Sequence, residues 1–328
     1  MKPAFSIIVP VYNRPDEVKE LLESLTHQTY KDFEVIIMED GSSITCEEVC
    51  QHFKGKLDIK YYFKENTGQG FSRNAAFEKA NADFFIQLDS DALVPEHYMA
   101  AVNEAIREEK LDAYGGPDMA HPDFTPIQKA VNYAMTSLFT TGGIRGKKGN
   151  LGGKYTPRSF NFGISRQVWE TVGGYKITRL GEDIEFSFRI IKAGFKVSLI
   201  PEAYIYHKRR TSFKQFFKQL HFFGRARINI TRFFPEQLKL VHTFPMFFTL
   251  FVFSLPFSYF FQARIFSISI LLLMSYFIIL FIDSLRVNKS LSVALLSLPA
   301  CFIQLFAYGL GFMEEAGKGL TFKESIKA

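Results

Sequence analysis

Through the first part of the chain, short apolar runs alternate with stretches of helical spacing. Phe5 to Val9, Phe33 to Met38, Ile59 to Phe63 and Phe84 to Leu88 are rich in β-formers and predict buried strands, the first broken at Pro10. Between them, Leu21, Leu22 and Leu25 form an apolar stripe behind Pro15, which suits a helical first turn. Phe71 to Ala80 and Glu96 to Glu109 predict two more helices. This alternation predicts an α/β unit with a mostly parallel, Rossmann-like sheet. Ligands of such sheets sit beyond the carboxyl ends of the strands. There the residues are polar and acidic: Pro10-Val11-Tyr12-Asn13, Glu39-Asp40-Gly41-Ser42, Glu65-Asn66-Thr67-Gly68 and Asp89-Ser90-Asp91.

The pattern then changes twice. Gly142 to Gly153 is too glycine-rich for a helix or a central strand and predicts a loop, either a lid or a solvated connection. Beyond Pro235 the apolar runs lengthen to Leu240–Phe261, Ile265–Ile282 and Leu291–Met313, each close to the ~20 residues that span a hydrocarbon core. Pro245, Pro256 and Pro299 lie inside them, so a re-entrant or split segment is an alternative to three plain spans. Arg286 and Lys289 place the second connection on the cytoplasmic side. Three crossings would leave Lys318, Lys323 and Lys327 outside, against the charge rule, and the topology of the last run stays open.

Composition supports two solvents for one chain. With 328 residues, 47% of them hydrophobic and 22% charged, there is room for two units with their own cores, and disorder is excluded. The 37 Phe concentrate beyond Phe213. Cys46, Cys50 and Cys301 form neither a disulfide framework nor a zinc ligand set, and are expected to be reduced. The start of the chain lacks the pattern of a secretory signal, so the first unit is expected in the cytoplasm. Net charge is +6, yet Ala203 to Pro235 alone carries eight basic residues, from Lys208 to Arg232, and no acid. This segment leads straight into apolar spans, which favours anionic lipid over nucleic acid as its partner. Phe213, Phe216, Phe217 and Leu220 recur at helical spacing within it, as in an interfacial helix or in a helix packed against protein. The expected partition is a catalytic unit over 1–207, a basic amphipathic interfacial segment over 208–237, about three transmembrane helices over 238–313, and a polar tail over 314–328.

Asp89-Ser90-Asp91 stands at a strand mouth, where two carboxylates can hold a hard divalent cation or a ribose hydroxyl. A phosphatase of the haloacid dehalogenase type would carry such a pair on its first strand, with Thr or Val two residues on. Here it follows the fourth strand and is trailed by Leu93. Ile7-Ile8-Val9-Pro10-Val11-Tyr12-Asn13, Val35 to Ser42, Gly70-Phe71-Ser72-Arg73-Asn74, Gln87 to Asp91 and Gly181-Glu182-Asp183 resemble, in order and spacing, the family 2 glycosyltransferases of the GT-A fold. The resemblance covers about Phe5 to His207 and includes Asn161 to Arg166 followed by Val172-Gly173-Gly174-Tyr175, which looks like the family's acceptor-side segment.

The resemblance implies an inverting transfer from a nucleotide-diphosphate sugar donor. Pro10, Tyr12 and Asn13 would line the base and ribose, Asp40 would accept from the base, and Arg73 would reach the nucleotide or its phosphates. Asp91 would hold Mg2+ or Mn2+, Asp89 would serve ribose or metal, and His207 would complete the metal site. A histidine followed by Lys208-Arg209-Arg210 suits a surface position equally well. Asp183 matches the family's general base and Glu182 would orient it or the acceptor; acids in a helical first turn are also simply favourable there. Many members carry Asp-Asp-Gly-Ser where this chain has Glu39 before Asp40. Gly68-Gln69-Gly70 is given only a turn role. The processive members usually show Gln-x-x-Arg-Trp, whereas Gln219 is followed by Leu220-His221-Phe222, which favours transfer of single sugars. The implied protein is a multi-pass inner-membrane enzyme with a cytoplasmic catalytic unit and a membrane-associated, lipid-linked acceptor. The alternatives are a polyprenyl-phosphate sugar synthase and a non-catalytic, membrane-anchored nucleotide-sugar-binding subunit.

Overall fold

A computed structural model describes residues 2–119, 121, 123–142 and 155–319. Internal contacts divide the chain into two units, Met1–His121 with Gly153–Lys208, and Pro122–Gly152 with Arg209–Ala328. The first runs β1 (Phe5–Val11), α1 (Pro15–Thr26), β2 (Phe33–Asp40), α2 (Glu47–Phe53), β3 (Asp58–Lys64), α3 (Gln69–Lys79), β4 (Phe84–Leu88), β5 (Ala92–Leu93), α4 (Tyr98–Glu109), β6 (Ala113–Gly115) and β7 (Asp118–Met119). The chain then leaves for the second unit as α5 (Pro126–Thr136) and α6 (Leu138–Thr141). It returns as β8 (Asn161–Ser165), α7 (Arg166–Val172), α8 (Glu182–Lys192), β9 (Val197–Leu199) and β10 (Ile205–His207).

Seven strands form one sheet in the order β3-β2-β1-β4-β8-β6-β9, antiparallel only where β8 lies between β4 and β6. β5, β10 and β7 make a second, small sheet. β1 and β2 are buried along almost their whole length because helices cover both faces. Period-two alternation sends Ile7 and Val9 to a core shared with α1, α2 and α4, and Ile8 to one shared with α3, α7 and α8. Two strands outrun their apolar patterns. β1 continues through Pro10 to Val11, in a stretch where β4 pairing has ended at Ile8 and only β2 is alongside, so a missing N–H need break no ladder bond. β2 continues through Glu39 and Asp40, which are buried strand residues rather than loop.

The second unit adds α9 (Phe213–Thr231), α10 (Phe244–Phe261), α11 (Ala263–Asn288) and α12 (Leu291–Gly319) to α5 and α6. Leu240–Phe261, Ala263–Asn288 and Leu291–Lys318 are long and apolar enough to cross a membrane, with mean hydropathies of 1.7, 2.7 and 1.9. α12 is the packed centre of the unit, touching α5, α9, α10 and α11. One feature differs from the sequence reading. The segment from Pro122 lies, by contacts, with these helices rather than with the α/β unit, because Ala130, Val131, Tyr133 and Ala134 bury against α9, α11 and α12. Of the two readings of the α9 stripe, interfacial helix or helix packed against protein, the packing matches the second at Phe216 and Leu220, which are fully buried in the same core. α9 and α12 approach at backbone distance, where a Cβ on Gly224 would meet Phe312 N at 2.7 Å and one on Gly311 would meet His221 C at 2.8 Å.

Nor is the basic segment a bare cationic belt. Arg225 and Arg232 reach Glu315 at 3.1 and 2.9 Å, and His221 reaches Glu314 at 2.9 Å. Both acids are helical, since α12 runs on past Met313. The glycine-rich loop beyond Gly142 and the tail beyond Gly319 fall outside the described residues.

Candidate active site

The carboxyl ends of β1, β2 and β4 present the matched residues side by side. Asn13 sits at φ 54° and holds the β2 turn: its Oδ1 accepts from the backbones of Ser43 and Ile44 at 2.8 and 2.9 Å, and its own N–H donates to Ser42 at 2.7 Å. Tyr12 beside it is exposed. Asp40 accepts from Lys64 and from the backbone N–H groups of Thr67 and Gly68, both at 2.9 Å. Burial alone would raise its carboxyl; the Lys64 and Thr67 hydrogen bonds outweigh burial and hold it below the ordinary value. Asp40 therefore fixes the turn that starts α3. Glu39 points the other way, fully buried, and accepts from Ser42, Cys46 and Tyr61.

From α3, Arg73 runs into the interior with no solvent exposure. One N–H donates to Asp89 at 2.7 Å, its guanidinium lies 5.7 Å from the centre of the Tyr175 ring, and its Nε and Nη1 have no hydrogen-bond partner among the described residues. Burial works against its charge, but Tyr175, Asp89, Glu182 and Asp183 outweigh that and keep it firmly protonated. Asn74, the next residue, clasps the Tyr175 backbone through both its oxygen and its amide, at 2.7 and 2.9 Å. The Arg73-Asn74 motif and the Gly173-Gly174-Tyr175 motif thus lock into one piece. Across the mouth of β4, Asp91 is buried and pairs with Arg14 at 2.9 Å.

α8 brings the second acid pair. Its entry needs left-handed backbone at Leu180 (φ 60°) and Gly181 (φ 99°), which turns the chain so that Glu182 faces inward. Gly70 lets α3 close on this loop, since a Cβ there would lie 2.7 Å from the Ile177 carbonyl. That approach lets Gln69 donate to Glu182. Burial, then the neighbouring Asp183, push the Glu182 carboxyl up to about 7. Asp183 is the more accessible of the two, its side chain 20% exposed with Arg158 at 3.8 Å.

Asp89 and Asp91 supply hard carboxylate oxygens of the kind Mg2+ and Mn2+ take, and such ions usually complete their shell with water and substrate phosphate rather than protein. Among the described residues no group of three or more His, Cys, Asp or Glu assembles by itself. Strand register sets His207 opposite Ala92, one residue past Asp91, while its side chain falls outside what is described. The structure thus brings Arg73, Asp89, Glu182 and Asp183 around one guanidinium, sets Asp91 against Arg14, and keeps Asp40 and Asn13 at the β1–β2 end. Arg14, Lys64 and Arg158 were absent from the sequence reading, and Gln69 had only a turn role there. Arg14 directly follows the matched Tyr12-Asn13, and Gln69 lies between the two glycines, but neither neighbour tells which acid it will meet.

The profile described as Glycosyl transferase family 2 matches residues 6–171, half of the chain, and the protein belongs to that family. An uncharacterized glycosyltransferase of Rickettsia bellii is 38% identical over 88 residues, 27% of this chain. Glycosyltransferase GlyA of Streptococcus pneumoniae is 31% identical over 109 residues, 33% of this chain. The matches span only 13% and 16% of those relatives' own lengths. The mannosyltransferase PcManGT of Pyrobaculum calidifontis, solved with GDP-Man and Mn2+, superposes with a TM-score of 0.63 over 93% of this chain and 88% of its own, at 14% identity. At that identity the likeness establishes the shared GT-A fold.

Proposed function

We propose that the chain is a membrane-anchored inverting glycosyltransferase that moves a sugar from a nucleotide-diphosphate donor to a membrane-associated, lipid-linked acceptor. Arg73 carries this reading. A fully buried guanidinium with two unpartnered nitrogens, set between Asp89 and the Glu182–Asp183 pair, is a place prepared for an anionic ligand beside a carboxylate that can take a proton. Asp183, the accessible acid, draws the proton from the acceptor hydroxyl as its oxygen attacks the sugar carbon from the face opposite the departing nucleoside diphosphate, which inverts that carbon. Arg73 receives charge that builds on the diphosphate, and Pro10, Tyr12, Asn13 and Asp40 form the base and ribose end. Asp91 and Asp89, with His207 alongside in register, would hold Mg2+ or Mn2+, which supplies further neutralisation of the leaving diphosphate. The three apolar helices support an inner-membrane location with the catalytic unit cytoplasmic, and exposed Lys214 and Lys218 suit anionic headgroups.

Full-length protein in detergent, offered a panel of labelled nucleotide sugars and a membrane lipid extract, tests this. Asp183→Asn should lower transfer about 10²- to 10⁴-fold while leaving donor affinity intact. Asp40→Ala should weaken donor binding first, because the Thr67–Gly68 turn that starts the Arg73 helix loses its anchor. Transfer at the normal rate by Asp183→Asn would overturn the assignment.

A further inference from the structure

We propose that the chain crosses the membrane twice, through α10 and α11, and that α12 does not cross but lies with α5 and α9 at the side from which the chain enters. The proposal rests on the reading that α10 and α11 traverse a bilayer. α12 is flanked by α5 and α9. α5 belongs to an excursion that leaves the first unit after His121 and rejoins it at Gly153, shorter than the ~40 residues that going across and back would need. α5 therefore stays on the entry side. α9 follows the first unit directly and carries Lys214, Lys218, Arg225 and Arg227 within its 19 residues, with Arg232 at its C-cap, a load that is costly for a helix crossing lipid. It too stays on the entry side.

These two helices cover α12 at both ends. α5 packs on α12 and bonds the end of α11 through Tyr133, 2.6 Å from Asp283, next to the Ser284–Ser297 hydrogen bond that joins α11 to the start of α12. α9 holds the far half: Gly224 lies against Tyr308 and Phe312, and Glu315 takes both Arg225 and Arg232. If α12 crossed, its Glu315 end would carry those arginines to the opposite face.

The hairpin of α10 and α11 behaves differently. Its open ends rest on α12, where Thr249 donates to the Phe306 carbonyl at 3.2 Å and Ser284 meets Ser297 at 2.8 Å. Its closed end, with Phe257, Phe260, Phe261, Ile268 and Leu271, is exposed. Counted over Leu240–Phe261 and Ala263–Asn288, 22 and 26 residues, the two arms are about 33 and 39 Å long at ~1.5 Å per residue, enough for a ~30 Å core. Between Pro245 and Ile282 the sole charged residue is Arg264, at the turn. Two crossings leave Arg286, Lys289, Lys318, Lys323 and Lys327 together on the entry side, which removes the conflict that three crossings create with the charge rule. The bilayer surface this protein fits is thus an apolar hairpin stem below an in-plane raft of α5, α9 and α12.

Single cysteines at Ala263 in the turn, at Gly317, where a Cβ meets open space, and at exposed Ile44 in the first unit read out the sides with a membrane-impermeant maleimide. Cys46, Cys50 and Cys301 are buried, so the unmutated chain sets the background. Expected is labelling of Ala263→Cys on intact cells, with Gly317→Cys and Ile44→Cys labelled only after permeabilisation. A protease-cleavable tag appended to the unmutated chain should likewise be cut only in inverted vesicles, which covers the case of a variant that misfolds. Labelling of Gly317→Cys on intact cells would overturn the proposal while leaving the membrane reading in place. Protection of Ala263→Cys on intact cells would overturn both.

Discussion

The two units bury charge in opposite ways. In the α/β unit Arg73 is wholly enclosed, makes one hydrogen bond to Asp89, and leaves Nε and Nη1 unpartnered. In the helical unit Glu315 is only 4% exposed, and its two oxygens are taken by Arg232 and Arg225. Leaving a buried polar group unpaired is costly, so a fold keeps one where something else completes it. A buried charge whose partners are all supplied by protein holds helices in register. The same chemistry therefore separates a place for a ligand from a place for structure, and each can be broken selectively.

The largest effect should come from Arg73→Ala. It removes the one cation that Asp89, Glu182 and Asp183 share, so transfer should fall by about 10²- to 10³-fold or more, with donor affinity falling alongside it. Arg73→Lys should rescue little, because an ammonium cannot present the planar fork that bonds Asp89 and still faces a second anion. Transfer kinetics and nucleotide titration on the two variants check this. Near-normal turnover in Arg73→Ala would make the guanidinium a structural group like those of α9.

Glu315→Ala should act on the other unit alone. Arg225 and Arg232 lose their common acceptor, yet both remain about a third exposed, so water replaces part of the loss and the cost should be about 1–2 kcal/mol. The expected result is a lower melting temperature in detergent with unchanged nucleotide affinity. A change in nucleotide affinity without a change in melting would erase the contrast between the two units.

How much of this was written in the sequence follows from distance along the chain. The strand-end motifs were legible because each is local: Tyr12-Asn13, Asp89-Ser90-Asp91 and Glu182-Asp183 mark the ends or starts of regular elements by themselves. Their partners were not. Arg14 meets Asp91 across 77 residues and Gln69 meets Glu182 across 113, and no spacing rule reaches that far. The α9 stripe shows a second limit, since an apolar face looks the same whether it lies on lipid or on Ala307 and Cys301. Glu39 shows a third. Its apolar neighbours Val35 to Met38 predict a strand that ends before it, but three donors inside the fold let β2 carry a carboxylate into the core.

The smallest effect falls on Glu182 in the α/β unit. Burial and Asp183 raise Glu182 from an ordinary value near 4.5 to about 7, so the folded protein holds this proton more tightly than the unfolded chain does. The stability that protonation contributes is complete below about pH 4.5 and is lost as pH rises through 7. Glu182→Gln removes the titration but keeps an oxygen for the Gln69 amide. The variant should match the unmutated protein at pH 4 and melt higher at pH 8, by on the order of a few degrees. Melting curves at the two pH values decide it. Parallel slopes would mean that another group carries the pH dependence, and that Glu182 is satisfied in the interior much as Glu315 is.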